Sequence, residues 1–517
     1  MNWVVNLENQ VHERGRKTAV ISEGTSYTYN ELNWHANSFA NWLKSFGGKR
    51  VCMYVPNTPE VYFAAFGAMK AGGAPAPINY MFGRNIIEYV LDDADADAVM
   101  TFPDDAEMVA SAAKDAGVEH VVTIGESEYG TITLDEILTT HSNYTETVPQ
   151  RDDDLFGLMY TSGTTGNPKG VYKSHRSVSV HTKAMRHVWK ITSDQTWLCA
   201  GPLYHTSGFE SSSLPVLAAG GTVVLHKWDI DRFLAEVEQY KADSAYIAGS
   251  MLLDMLEYET PERYDVSSLK QVFAGGAPMD SKDYDTVEEM YDVRVSERLG
   301  MTEAGIILTY PVGKTGEFSP RDEVPGRVPG SCGRPVVQEV DVRVVDLNTG
   351  EVVEVGEGEM QVRGDTLFEK YINKPEKTKE AFTEDGWYQS GDVVRVDEDG
   401  YIFHLRRADS MIVTGGENVY PRGVERVISS HDAVKETAVF PIPDAHWGER
   451  VCAAVVLKDG ASVTEAELIQ FCKQSDDISD FEAPKQIFFR DSLPKTPTKS
   501  IRRPDLTDEY RDVPYEN

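Results

Sequence analysis

The feature that most constrains this chain is an alternation of helix-like stretches with short apolar runs through roughly its first 400 residues. Asp229 or Asp231 can cap a helix carrying Phe233, Leu234, Val237 and Tyr240 on one face, and the strand-like SAYIA follows. The Tyr62–Ala71 segment has helical spacing, stops at Gly72-Gly73 and continues as an extended APAPIN. Repeated units of this kind predict an α/β fold, with a large N-terminal domain of helix-flanked, mostly parallel sheets. After about residue 335 the pattern changes, and Val340, Val342 and Val344 alternate as in a half-buried strand of a small β-rich subdomain. Beyond Arg407, TAVFPI and VCAAVVL read as strands, and Thr464 with Glu467 as a capping box opening a helix through Cys472. This predicts a smaller α+β C-terminal domain. The expected boundary lies between Arg406 and Ser410, giving domains 1–407 and 408–517.

Composition excludes several partners. Lys+Arg number 50 and Asp+Glu 83, a net charge of −33. Such a surface repels nucleic acid and anionic membranes and keeps the chain in solution. The start, MNWVVNLENQVHERG, has no apolar signal core, and no apolar run reaches the ~18 residues of a membrane span. The end, PYEN, is no peroxisomal or lipidation signal. Cys52, Cys199, Cys332, Cys452 and Cys472 lie far apart with no CxxC or Cys/His cluster. Neither a disulfide framework nor a structural zinc site is predicted, and a cytoplasmic location is expected.

The segment Tyr160–Gly170, YTSGTTGNPKG, follows the apolar LFGLM. A strand ending in such a loop offers backbone N–H groups, hydroxyls and a cation to an oligophosphate. It is not a Walker A loop, because GxxxxGK[ST] fails at Pro168 and Gly170.

This segment resembles the phosphate-loop signature of the adenylate-forming superfamily, which includes acyl-CoA synthetases, luciferases and peptide-synthetase adenylation domains. The resemblance spans nearly the whole chain in the family's order: SYTYNEL (Ser26–Leu32), KAGGAPAPIN (Lys70–Asn79), PLYHTSG (Pro202–Gly208), AGGAP (Ala274–Pro278), LGMTEAG (Leu299–Gly305), WYQSGD (Trp387–Asp392), RRADSMIVTGGENVYP (Arg406–Pro421) and LPKTPTKSIRR (Leu493–Arg503). It implies an enzyme, an acid–thiol ligase that turns a carboxylic acid and ATP into an acyl-adenylate and pyrophosphate, then forms the CoA thioester and releases AMP. Catalysis of this kind is mainly positioning and charge neutralisation.

By that resemblance Thr161, Ser162, Gly163, Thr164, Thr165 and Lys169 hold the phosphates. Thr302 contacts the α-phosphate, and Glu303 ligates Mg²⁺. Gly276, Ala277, Pro278, Leu299, Gly300 and Met301 frame the adenine, Asp392 takes the ribose hydroxyls, and Arg407 adds a fixed positive charge. Tyr204, His205, Tyr246, Ala248, Ala274 and Met301 line the acyl pocket, with His205 at its junction with the thiol tunnel. An aspartate at that position marks amino-acid-activating members, so His205 argues against an amino acid. Glu210 is expected to be solvated outside the pocket, or else to serve as counter-ion for a cationic acid such as a betaine. Asp409 is the expected hinge of a mobile C-terminal domain, and Gly415 and Gly416 line the pantetheine tunnel, where missing side chains leave room. The resemblance allows a homodimer.

Two departures matter. Leu299 stands where an aromatic residue stacks on adenine, forfeiting about 0.5–1.5 kcal/mol. Aligned without gaps, the family's Gly-Lys falls on Lys499-Ser500, so Ser500 takes the catalytic lysine's place. In extended chain one residue moves a side chain about 3.3–3.6 Å and turns it to the opposite face. Lys499 serves only if the loop is rebuilt. These departures keep alive a degenerate nucleotide- or acyl-AMP-binding homologue, beside a ligase that loads a separate carrier protein.

Overall fold

The computed structural model describes all residues except 1, 162–166, 276–280, 311–327, 329, 336, 348, 408–411, 420, 495–500, 502 and 516–517. Within helices and strands, the side chains of 249, 250, 281, 282, 406, 407, 418, 422 and 504 are also outside the described set.

The expected local units form. Asp229 accepts from the Arg232 amide at 2.8 Å and caps the helix Ile230–Tyr240. That helix leads into the strand Ser244–Ala248. The helix Glu60–Lys70 ends before Gly72, whose φ of +81° favours glycine, and Ala74–Pro77 is a strand. Thr464 and Glu467 form the reciprocal capping box of the helix Glu465–Lys473.

The largest sheet has nine strands, in spatial order Arg334–Pro335, Gly305–Thr309, Arg294–Met301, Gln271–Gly275, Ser244–Ala248, Thr196–Cys199, Thr222–Leu225, Thr18–Ser22 and Thr25–Thr28. Its middle strands pair in parallel and its edges antiparallel. A second, five-stranded sheet, centred on Arg50–Tyr54 and Ala98–Thr101, is parallel throughout. Strand periodicity then sorts side chains into layers. Val51, Met53, Trp197, Cys199, Tyr246 and Phe273 enter a central core with the helices Tyr29–Phe46, Glu60–Lys70 and His175–Val188. Cys52 and Tyr54 face an outer core over the five-stranded sheet. Leu198, Ile247, Val272 and Ala274 face another, over the nine-stranded sheet.

A four-stranded antiparallel sheet covers residues 340–407. The C-terminal sheet carries the long strands Val434–Asp444 and Gly448–Leu457. The five cysteines are buried and free. Among the described residues no helix is long and apolar enough to cross a membrane.

Candidate active site

The phosphate-loop segment is the tip of an antiparallel hairpin. Leu155–Thr161 pairs with Lys169–Ser174, and Thr161 lies opposite Lys169. Ser162, Gly163, Thr164 and Thr165 fall outside the described residues. The Thr161 hydroxyl is buried without a hydrogen-bond partner. Lys169 holds its ammonium 4.3 Å above the Tyr371 ring. The Tyr371 hydroxyl donates to Glu303 Oε1 at 2.7 Å. The hairpin's cation, Tyr371 and the expected metal ligand therefore form one cluster, with Glu303 only 8% exposed.

Thr302 and Glu303 sit at the turn between the strands Arg294–Met301 and Gly305–Thr309. Gly305 adopts φ +72°, and a Cβ there would lie 2.7 Å from His181, so the turn requires glycine. His181 Nε2 accepts from the Ile306 amide at 3.1 Å, and burial lowers this imidazole's pKa to about 3, so it stays neutral. Lys173 donates to the carbonyls of Thr302 at 3.4 Å and Thr366 at 3.2 Å. Its counter-ion is Glu210, 3.8 Å away, and both side chains are fully buried.

Glu210 therefore corrects an expectation. It lies in a π-helical turn, Ser207–Ser213, and is not solvated. It already has an internal cation, so it is not free to hold a cationic substrate. Burial raises its pKa to about 7, against the partly offsetting Lys173 ammonium. Burial likewise lowers Lys173, against the carboxylates of Glu210, Glu303 and Glu369.

Asp392 and Arg407 stand opposite each other on adjacent antiparallel strands. Asp392 is buried and receives His404 Nε2 at 3.0 Å. Leu299 is half-buried against the central core, Gly300 is exposed, and Met301 pairs with Gly305. Gly276, Ala277 and Pro278 lie outside the described residues, as do Asp409, Lys499 and Ser500.

The acyl segment meets a hairpin from far along the chain. Tyr204 Oη donates to Glu417 Oε1 at 3.0 Å, and His205 Nε2 lies 3.1 Å from Glu417 Oε2. Glu417 belongs to a hairpin whose turn is Gly415-Gly416, with φ of +59° and +84°. A Cβ on Gly416 would lie 3.6 Å from that of Ala248. Burial disfavours the His205 imidazolium, but Glu417 more than offsets this and the pKa is raised. Burial disfavours the Glu417 carboxylate, but His205 and Tyr204 more than offset it and the pKa is lowered. An ion pair thus joins the acyl segment to the C-terminal hairpin.

Tyr246 packs against this segment: a Cβ on Gly201 would lie 2.6 Å from its ring. Ala274 does not join it. One position beyond Phe273, Ala274 points through the sheet into the outer core with Ile247. Sequence reading missed Tyr371, Lys173 and Arg298, none of which lies in a distinctive local pattern; Glu417 was signalled only as part of GGEN.

Among the described residues no group of three His, Cys, Asp or Glu side chains is assembled to hold a metal. A single buried carboxylate does fit Mg²⁺ that takes its other ligands from phosphates and water.

These elements define an enzyme of the AMP-forming acyl-CoA ligase class. Residues 7–372 match the AMP-binding enzyme family and 423–499 its C-terminal domain, and the chain belongs to that family. It is 33% identical over 493 residues to a feruloyl-CoA synthase of Amycolatopsis sp, covering 94% of each chain. It is 28% identical over 518 residues to the long-chain-fatty-acid–CoA ligase FadD13 of Mycobacterium tuberculosis, covering 99% of this chain and 98% of the other. Among solved structures it is similar to the amide bond synthetase McbA of Marinactinospora thermotolerans, with a TM-score of 0.87, 26% identity and coverage of 99% and 100%.

Proposed function

We propose that this chain is an ATP-dependent acyl-CoA synthetase. A carboxylate oxygen attacks the α-phosphorus of ATP and pyrophosphate leaves; the sulfur of CoA then attacks the acyl carbon and AMP leaves. In this reading Thr161, Ser162, Gly163, Thr164, Thr165 and Lys169 hold the phosphates, and Thr302 the α-phosphate. Glu303 would hold Mg²⁺, which supplies charge neutralisation at the phosphate oxygens. Gly276, Ala277, Pro278, Leu299, Gly300 and Met301 frame the adenine, and Asp392 and Arg407 serve the ribose side. Lys499 stands in for the lysine expected at Ser500.

The observation that carries the reading is the meeting of His205 with Glu417 across 212 positions of sequence. It brings the glycine turn Gly415-Gly416 to the mouth of the acyl segment, where a slender thiol arm needs passage. We assign the domains as 1–407 and 408–517, pivoting at Asp409, with this arrangement serving thioester formation. The similarity to an amide bond synthetase favours a second reading, in which an amine takes the acyl group.

The test is carboxylate-dependent pyrophosphate release from ATP, with and without CoA. Acyl-CoA formed when CoA is added supports the proposal. Pyrophosphate release with acyl transfer only to amines supports the second reading. ATP binding without release on any acid overturns both.

A further inference from the structure

The central face of the large sheet carries a charge that the roles assigned so far leave unused. Arg298 lies on the strand Arg294–Met301, in register with Gly275 and, one strand further, with Ala248. In parallel strands registered residues share a face, so its side chain lies on the Tyr246 side of the sheet. The guanidinium carbon sits 3.7 Å from the Tyr246 ring centroid. A Cβ on Gly275 would lie 3.1 Å from Arg298 Cγ and 3.2 Å from Nη1, so the missing side chain at 275 is what lets the arginine lie there.

This arginine is only 8% exposed. Its Nε has no hydrogen-bond partner, nor does the Tyr246 hydroxyl beside it. Among the described residues no carboxylate forms an ion pair with Arg298; its neighbour Glu297 turns away to meet Cys332 Sγ at 3.9 Å. A guanidinium keeps its proton at any working pH, so burial cannot be relieved by neutralisation. Stacking on a tyrosine face offsets only part of the desolvation of a whole charge. The molecule solves the same problem elsewhere: the buried Lys173 has Glu210. None of the described residues supplies a carboxylate counter-ion to Arg298.

Resting on the acyl-CoA synthetase reading, we propose that Arg298 is a specificity-determining residue of the acyl pocket, and that the acid is a dicarboxylic acid. One carboxylate is activated beside Thr302 and the other pairs with the Arg298 guanidinium. The planar fork matches a carboxylate with two parallel N–H donors. The same charge repels acids with a cationic tail, so betaines are excluded by this pocket.

The experiment measures kcat and KM for pyrophosphate release and acyl-CoA formation with two matched series. One holds straight-chain dicarboxylic acids of graded length, the other the monocarboxylic acids of the same lengths. The variants are Arg298→Met and Arg298→Lys. The wild type is expected to favour one dicarboxylic acid over its monocarboxylic match by about 100-fold in kcat/KM, equivalent to about 2.7 kcal/mol at 1.36 kcal/mol per decade. Arg298→Met should lose that preference, mainly through KM, and gain on the monocarboxylic acid. A merely structural role would not produce that gain. Arg298→Lys keeps the charge without the fork and should restore part of the preference, which covers the case of a poorly folding methionine variant. Equal use of both series by the wild type, with the ratio unchanged in Arg298→Met, overturns the inference and leaves the synthetase reading standing. Release with no acid of either series overturns this inference, and the synthetase reading falls with it only if aromatic and branched acids also give no release.

Discussion

Replacing Lys173 with methionine keeps the stem's volume and removes the ammonium. Three contacts go at once: the carbonyls of Thr302 at 3.4 Å and Thr366 at 3.2 Å, and the Glu210 carboxylate at 3.8 Å. Breaking a buried pair by removing one partner costs about 3–5 kcal/mol, because the survivor is left charged and unsolvated. Unfolding entropy is about 2.1 cal/mol/K per residue, or about 0.8 kcal/mol/K for a unit of about 400 residues, so Tm should fall by about 4–6 °C. Glu210 has an escape, since its pKa already stands near 7 and it can bind a proton. The loss should therefore be larger at alkaline pH than at pH 6. Adding Glu210→Gln to Lys173→Met removes the stranded charge and should recover most of the Tm. Calorimetry at two pH values on the four proteins of this cycle is the assay. A Tm unchanged at both pH values, or a double variant less stable than Lys173→Met, would refute the reasoning.

Other outcomes follow from the same geometry. Glu417→Gln should slow acyl-CoA formation at least about tenfold, since charge-assisted hydrogen bonds contribute about 1.5–3 kcal/mol, while pyrophosphate release is kept; single-turnover assays of the two steps separate them. The His205–Glu417 pair, with the imidazole pKa raised, is fully present below the ordinary histidine value of 6.5 and fades as pH rises through the raised one. The thiol step of the wild type should accordingly weaken toward alkaline pH more steeply than that of Glu417→Gln. Tyr371→Phe frees Glu303 Oε1 from its 2.7 Å donor and should raise the Mg²⁺ needed for half-maximal pyrophosphate release by about tenfold. Leu299→Tyr should lower the KM for ATP by about 2- to 10-fold, the stacking term being about 0.5–1.5 kcal/mol.

Legibility from sequence followed the range of the interactions. Caps and turns are local, so Asp229, Thr464 and the stop at Gly72 were readable residue by residue. The strand entering the phosphate loop was visible as an apolar run ahead of a small-residue turn, but its antiparallel return strand was not. Ala274 was misplaced because strand faces alternate at every residue, and the register that puts Phe273 beside Tyr246 is a tertiary fact. Glu210 was misread for a related reason: its partner Lys173 lies on a different element, and no spacing rule joins them. Tyr371 and Arg298 gain their meaning only from Glu303 and Tyr246, which reach them through the folded chain.

The pairing of His205 with Glu417 also bears on the order in which the protein is made. The ribosome delivers the acyl segment first and its partner 212 residues later. At about 5–20 residues per second, that interval is about 10–40 s. During it the nascent chain carries a finished half of the acyl segment and lacks the hairpin that closes it. The thiol step is therefore timed by the last fifth or so of translation, because its Glu417 partner is made only then.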